Sequence, residues 1–305
     1  MNEVFSNFFS QTAHGAVFIA IGLIVFTLAK IVKDLIEPES IDDHLTSKDN
    51  FAVAVSMVGY YFGIIIIFIA IISSPGRGFF TDIWMVVYFS IIGILLLNIS
   101  HFINDKLIFP KFEMLKEIYD NRNIAAGVAV FGNYIASSLF LAVALTGEPG
   151  KENLIGFKSL NLHSDVAIIL EGTILSLVFF VIGQIAQVTF VIYYSKIISY
   201  NYQLEIRNNK NIAVGISFAG AIIAIGIIVT RTLRQDFVSF AETGVLVGMG
   251  FLLSLLFLPI LRFFTDKIIL KGTLTKEVVE DRNIGAAVIE ACVLISFAGV
   301  IFYSI

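Results

Sequence analysis

A short motif that opens four uncharged runs constrains this chain more than any other feature. Arg282-Asn283-Ile284-Gly285-Ala286-Ala287-Val288 has the form Asn, apolar, small, spacer, small, aliphatic. Lys210-Asn211-Ile212-Ala213-Val214-Gly215-Ile216 and Arg122-Asn123-Ile124-Ala125-Ala126-Gly127-Val128 repeat it, and Asp49-Asn50-Phe51-Ala52-Val53-Ala54-Val55 is a looser copy. Four copies, with their asparagines 73, 88 and 72 residues apart, are the mark of a repeat architecture.

Composition decides what kind of repeat. The 305 residues are 57% hydrophobic and 14% charged, against roughly one-quarter charged in soluble domains. Cutting the chain at charged residues leaves eight runs: 4–29, 50–76, 83–104, 123–147, 172–195, 211–230, 243–261 and 283–305, the last broken only by Glu290. About 20 apolar residues cross the hydrocarbon layer as a helix. The short alternating segments of a membrane barrel are absent. The expectation is an all-α polytopic membrane protein with eight transmembrane helices. Met1-Asn2-Glu3 lacks the basic start of a cleaved signal, so the first run reads as a retained span.

The repeat unit is a helix pair. Its first helix ends near Asn104-Asp105-Lys106, Tyr194-Ser195-Lys196 or Thr265-Asp266-Lys267, with Lys33-Asp34 as a looser counterpart, and a polar connector then leads to the motif. Pairs hold an even number of helices, so four parallel two-helix repeats follow. The polar stretch 147–164 divides them into two four-helix halves, 1–146 and 165–305. A pseudo-fourfold ring and a pseudo-dimer of halves both fit. Of the 20 basic residues, those after runs one, three, five and seven form the majority, so the positive-inside rule places the motifs at the cytoplasmic mouth and both termini outside, in a bacterial inner membrane.

Several residues carry candidate chemistry. Asn50, Asn123, Asn211 and Asn283 can cap helix starts, with small residues behind them permitting close helix approach. The sharper reading is an anion site where these helix starts converge with Arg122, Lys210 and Arg282. Asp165 and Glu171, and likewise Asp236 and Glu242, would form a ring of outer-vestibule acids. Glu290 lies about 10 Å into the membrane at 1.5 Å per residue, and intramembrane acids are functional candidates. Its counterparts are Met57, Val130 and Phe218. Gln184 with Gln187, and Asn98 with His101 and Asp105, form polar helix faces. Gly244 to Gly248 fits a GxxxG packing pair. Cys292 is the only cysteine and the histidines are scattered, so no metal site is expected. No phosphate loop, nucleophile elbow or HExxH occurs, so no cofactor and no enzymatic activity are expected; no basic tract points to nucleic acid.

The repeated Asn-apolar-Ala-x-Gly/Ala start in paired two-helix units, with the polar Asp82-Ile83-Trp84 opening, resembles the bacterial inner-membrane family catalogued as domain of unknown function 350. Members of that family typically have four helices, so this chain looks like two of them fused. The resemblance transfers no catalytic residue; it implies an envelope-stress context near phage-shock-type peripheral membrane proteins. The leading expectation is permeation of a small ion or solute, with Glu290 on the path. The alternative is a membrane scaffold or sensor whose connectors Glu113–Arg122 and Thr273–Arg282 dock a peripheral stress protein. Either leaves room for oligomerisation in the bilayer.

Overall fold

Backbone amides inside hydrocarbon must find partners within the segment itself, and the α-helix is how each apolar run does so. The structure, a computed structural model, describes residues 2–74, 76–146, 164–234, 239–270 and 272–304. The joining loop expected at 147–164 lies outside them but for its last residue, as do Asp236 and the side chain of Asp165. The helices are α1 (Asn2–Ile36), α2 (Ile41–Thr46), α3 (Phe51–Ile72), α4 (Phe79–Leu107), α5 (Met114–Tyr119), α6 (Ile124–Thr146), α7 (Ser164–Ile197), α8 (Tyr202–Arg207), α9 (Ile212–Leu233), α10 (Phe240–Phe264) and α11 (Ile284–Ser304). Two π-helical turns, Thr265–Ile269 and Lys276–Glu280, end α10 and form the fourth connector.

Eight of these helices are long and apolar enough to cross a membrane. Several extend further than the uncharged runs, because charged residues near their ends are paired rather than excluded: α1 continues past Lys33, which forms an ion pair with Glu37. α10 carries Pro259 in its interior. The missing proline N–H frees the carbonyl of Leu255, and that oxygen accepts a 2.6 Å bond from the Tyr193 hydroxyl.

The second helices of the four repeats, α3, α6, α9 and α11, stand side by side in that order, and these are the most extensive helix contacts among the described residues. α4, α7 and α10 each lie against two consecutive members of this row, and α1 lies against α3 and α4. Among the described residues no ring closes; the two four-helix halves meet through α6 and α9, so that the four hairpins form one continuous row. Small motif residues set its spacing. A Cβ on Gly127 would sit 2.5 Å from the carbonyl oxygen of Ala52, and one on Gly215 would sit 2.7 Å from that of Ala125. The same relation, one repeat further on, shows that a single geometry builds the row. Close backbone approach is how membrane helices gain dispersion contact where no hydrophobic drive exists.

Candidate functional site

The site grows from the residue before each motif asparagine. Asp49, Arg122, Lys210 and Arg282 all adopt φ between 47° and 49°, the only non-glycine residues with positive φ among those described. A left-handed residue stops the connector helix, and a side chain there costs on the order of 1 kcal/mol. The looser first copy obeys the same backbone rule, although its residue is an aspartate.

Each asparagine then works in two directions. Its side-chain oxygen accepts first-turn N–H groups: Ala52 at 3.1 Å for Asn50, Ala126 at 3.3 Å for Asn123, Ala213 at 3.1 Å for Asn211 and Ala286 at 3.2 Å for Asn283. Its amide donates into the next repeat's connector. Asn50 reaches Ile118 O at 3.0 Å, Asn123 reaches Ile206 O at 2.7 Å, and Asn211 reaches Val278 O at 3.0 Å. Asn50, Asn123 and Asn211 are 1% exposed or less. Asn283, in the last of these repeats, is exposed and, among the described residues, its amide bonds only Glu277, at 2.9 Å.

A further member of the motif escaped the sequence reading. Six residues before the asparagines stand Glu117, Glu205 and Glu277, whose carboxylates accept the asparagine amides at 3.2, 3.2 and 2.9 Å. In the first repeat His44 takes this place, its Nδ1 lying 3.2 Å from the Asn50 amide nitrogen. The constant spacing of Glu and Asn was the available signal. His44 Nε2 in turn lies 2.5 Å from Glu39, which also accepts from Lys48. These hydrogen bonds, from His44 first and then Lys48, hold the Glu39 carboxyl below its ordinary range. Tyr202 adds another tie between repeats by donating to Ile108 O at 2.8 Å, and burial pushes its phenol up to about 12.

Below this ladder, each half encloses a cation among aromatic rings. In the first half the buried Lys33 ammonium lies 5.5 Å from the Tyr60 ring and 5.4 Å from the Tyr134 ring, paired with Glu37. His101 stacks on Tyr134 at 5.0 Å. In the second half Arg262 is 6.0 Å from the Tyr194 ring, and its Nη1 lies 2.8 Å from Glu290 Oε1. Neither atom makes a hydrogen bond among the described residues, so this contact is an ion pair. His101 and Arg262 are counterparts, each four residues before an aspartate that accepts its connector's backbone N–H: Asp105 from Met114 at 3.2 Å, Asp266 from Leu274 at 2.5 Å. Glu290 thus gains the partner that the sequence could not name.

The remaining candidates separate. Gln184 and Gln187 are buried in a polar seam between the halves: Gln184 donates to Ser100 at 2.7 Å, and Ser137, bonded to Ser100 at 2.6 Å, donates to Gln187 at 3.1 Å. Asn98 donates to the Tyr60 hydroxyl at 3.2 Å. Glu171 is buried, with Oε1 unpartnered among the described residues, whereas Glu242 is exposed; the two hold equivalent sequence positions in different environments. A Cβ on Gly244 or Gly248 would meet nothing within 4 Å, so that GxxxG pair forms no close helix contact among the described residues. Arg122 and Arg282 are exposed, and Lys210 donates to Asn121 O at 2.8 Å. No group of metal-ligating side chains occurs among the described residues.

Fold and site together define a multi-pass integral membrane protein built from tandem two-helix repeats. The chain belongs to the family described as Domain of Unknown Function (DUF350), whose model matches residues 7–145 and again 168–305, two copies of the domain fused in one chain. No curated protein and no solved structure matches it.

Proposed function

We propose that this protein is a membrane scaffold whose connectors form a rigid docking face for a peripheral partner, on the cytoplasmic side that the lysine and arginine bias favours. The observation that carries this reading is the set of three asparagine bridges from Asn50, Asn123 and Asn211 to the following connectors. They hold four short loops in fixed register, which a surface-presenting protein needs and a mere hairpin turn does not. A polar cleft of about 380 Å³ opens on that face between the second and third repeats, lined by Lys111, Ser199, Asn201 and Gln203 among others. The exposed Lys116, Arg122, Arg207, Lys210, Lys276 and Arg282 alternate with the exposed Asp42, Asp49, Asp120, Glu280 and Asp281, a mixed-charge face that suits a partner bearing charges of both signs.

Permeation, the stronger expectation from sequence, ranks second. Glu290 is fully buried and paired with Arg262, and a cavity in the same half, between Phe190, Ile225, Leu258 and Leu294, does not include it and is apolar and about 20 Å³, the size of one water. The buried, unpartnered Glu171 oxygen is the feature that favours a transport role. The deciding experiment measures ion flux in proteoliposomes under imposed pH and potassium gradients, beside photocrosslinkers placed at Lys116 and Lys276 in cells. The scaffold reading expects leak no greater than in protein-free vesicles and a discrete adduct that Arg122→Glu with Arg207→Glu removes. Flux that falls in Glu171→Gln or Glu290→Gln would replace it with permeation.

A further inference from the structure

One interface is used three times inside this chain, and it is directional. The ninth residue after an asparagine in one repeat faces the eighth after the asparagine in the next. A Cβ on Gly59, Gly132 or Gly220 would come within 2.6, 2.6 and 2.5 Å of the Cα atoms of Phe131, Ala219 and Ala291 respectively. Above these contacts the asparagine amide reaches forward to a connector carbonyl. A surface that always meets a different surface is heterologous, and such contacts continue until a ring closes or the units run out.

Among the described residues both ends of the row are open. On α11 the forward face has no neighbour among the described residues: a Cβ on Gly285 would meet only Asn283 of its own repeat within 4 Å, one on Gly299 would meet nothing, and Cys292, the ninth residue, is exposed. Ile284 and Val288 are 48% and 49% exposed. The Asn283 amide lacks the forward carbonyl that the other three asparagines have. On α3 the backward face is equally open: Val58, the eighth residue, is 44% exposed, flanked by Phe51 at 62% and Phe62 at 54%. α4, α7 and α10 each fill a groove between two second helices, while α1 has only α3 on its side of the row.

We propose that α11 of one copy docks on α1 and α3 of a second copy, so that the row of repeats continues from chain to chain. The occupant is a second copy because its first repeat presents the surface that repeats two, three and four already use. The Asn283 amide then meets the carbonyls of Leu45 and Thr46, which stand five and four residues before Asn50 as Ile118 and Tyr119 do before Asn123. Cys292 occupies a glycine position, so this step stands wider than the internal ones, at a separation that a disulfide spans. The inference rests on interface geometry alone and holds whether or not the connectors dock a partner.

The test is a single substitution, Val58→Cys, oxidised with iodine in native membranes. Cys292 is the only native cysteine, so the parent chain cannot exceed a covalent dimer. Val58→Cys is expected to give a ladder of trimers and larger species, which Cys292→Ser abolishes and Gly285→Leu reduces at least tenfold. No species beyond the parent's would overturn the proposal, and so would a fast-migrating monomer cross-linked internally, because that would mean the row closes within one chain. As a check free of substitutions, sedimentation of the unmodified protein in native nanodiscs should give multiples of 33.6 kDa; a monomer at all loadings would also overturn it.

Discussion

The asparagine opening each second helix does with one amide group what usually takes two residues. Its oxygen caps a helix, worth about 1 kcal/mol, and its nitrogen satisfies a buried carbonyl one repeat away, worth about 1 kcal/mol net and more when the acceptor is stranded. Asn123→Ala is therefore expected to destabilise the fold by about 2–4 kcal/mol, whereas Asn283→Ala, which loses no bond to another repeat of its own chain, should cost the monomer in dilute micelles only about 1 kcal/mol. Unfolding in mixed micelles measures both, and equal losses would mean that the forward bonds are not what holds the connectors. The residue before the asparagine permits a second comparison. Arg122 sits at φ 48°, where glycine is unstrained and a β-branched side chain is an outlier. Arg122→Gly should be neutral or stabilising, and Arg122→Val should cost about 1–3 kcal/mol in the same assay.

Among the elements, the connectors and the ion pairs beneath them respond to different agents. Glu39 is held below its ordinary range by His44 and Lys48. A carboxyl depressed in the folded state stabilises it above the unfolded pKa, and that contribution is lost as the pH falls through the folded value. The first connector should thus lose hydrogen-exchange protection on acidification ahead of the other three, and Glu39→Gln should remove that pH dependence. The Arg262–Glu290 pair answers to substitution: Glu290→Gln strands a buried guanidinium and should cost about 3–5 kcal/mol, while Arg262→Met with Glu290→Leu should recover most of it. A non-additive double mutant would identify a structural pair; a flux defect without loss of stability would not fit one. These elements also mark how far the sequence could be read. The helices and the asparagine caps were legible because apolar runs and cap residues act locally. The row was not, since Gly127 against Ala52 is a long-range contact with no local signature. Arg262 lies at the end of an apolar run and Glu290 inside another, so only the three-dimensional fold brings opposite charges together.

For the whole molecule, the continuous row means that the boundary between the two family domains is not a boundary of packing. α6 meets α9 across it much as α3 meets α6 within the first domain and α9 meets α11 within the second. Gly132 and Ala219, Gly226 and Ala136, and Gly215 and Ala125 all form close contacts there, and the Ser100–Ser137–Gln187 seam adds hydrogen bonds. Such bonds contribute roughly 0.6–2 kcal/mol each in hydrocarbon. The covalent loop is then unnecessary for assembly once both halves lie in one bilayer. Residues 1–146 and 164–305 produced as separate chains should co-purify in a 1:1 complex. Gln187→Leu should weaken that complex by about tenfold for a loss of roughly 1.4 kcal/mol, through the stranded Ser137 and Asn133 partners. Gly132→Leu should abolish it, because its Cβ alone would fall 2.6 Å from the Ala219 Cα, where two helix backbones leave neither room to yield. Halves that fold separately without associating would show that the linker, rather than the repeated interface, joins the row at its centre.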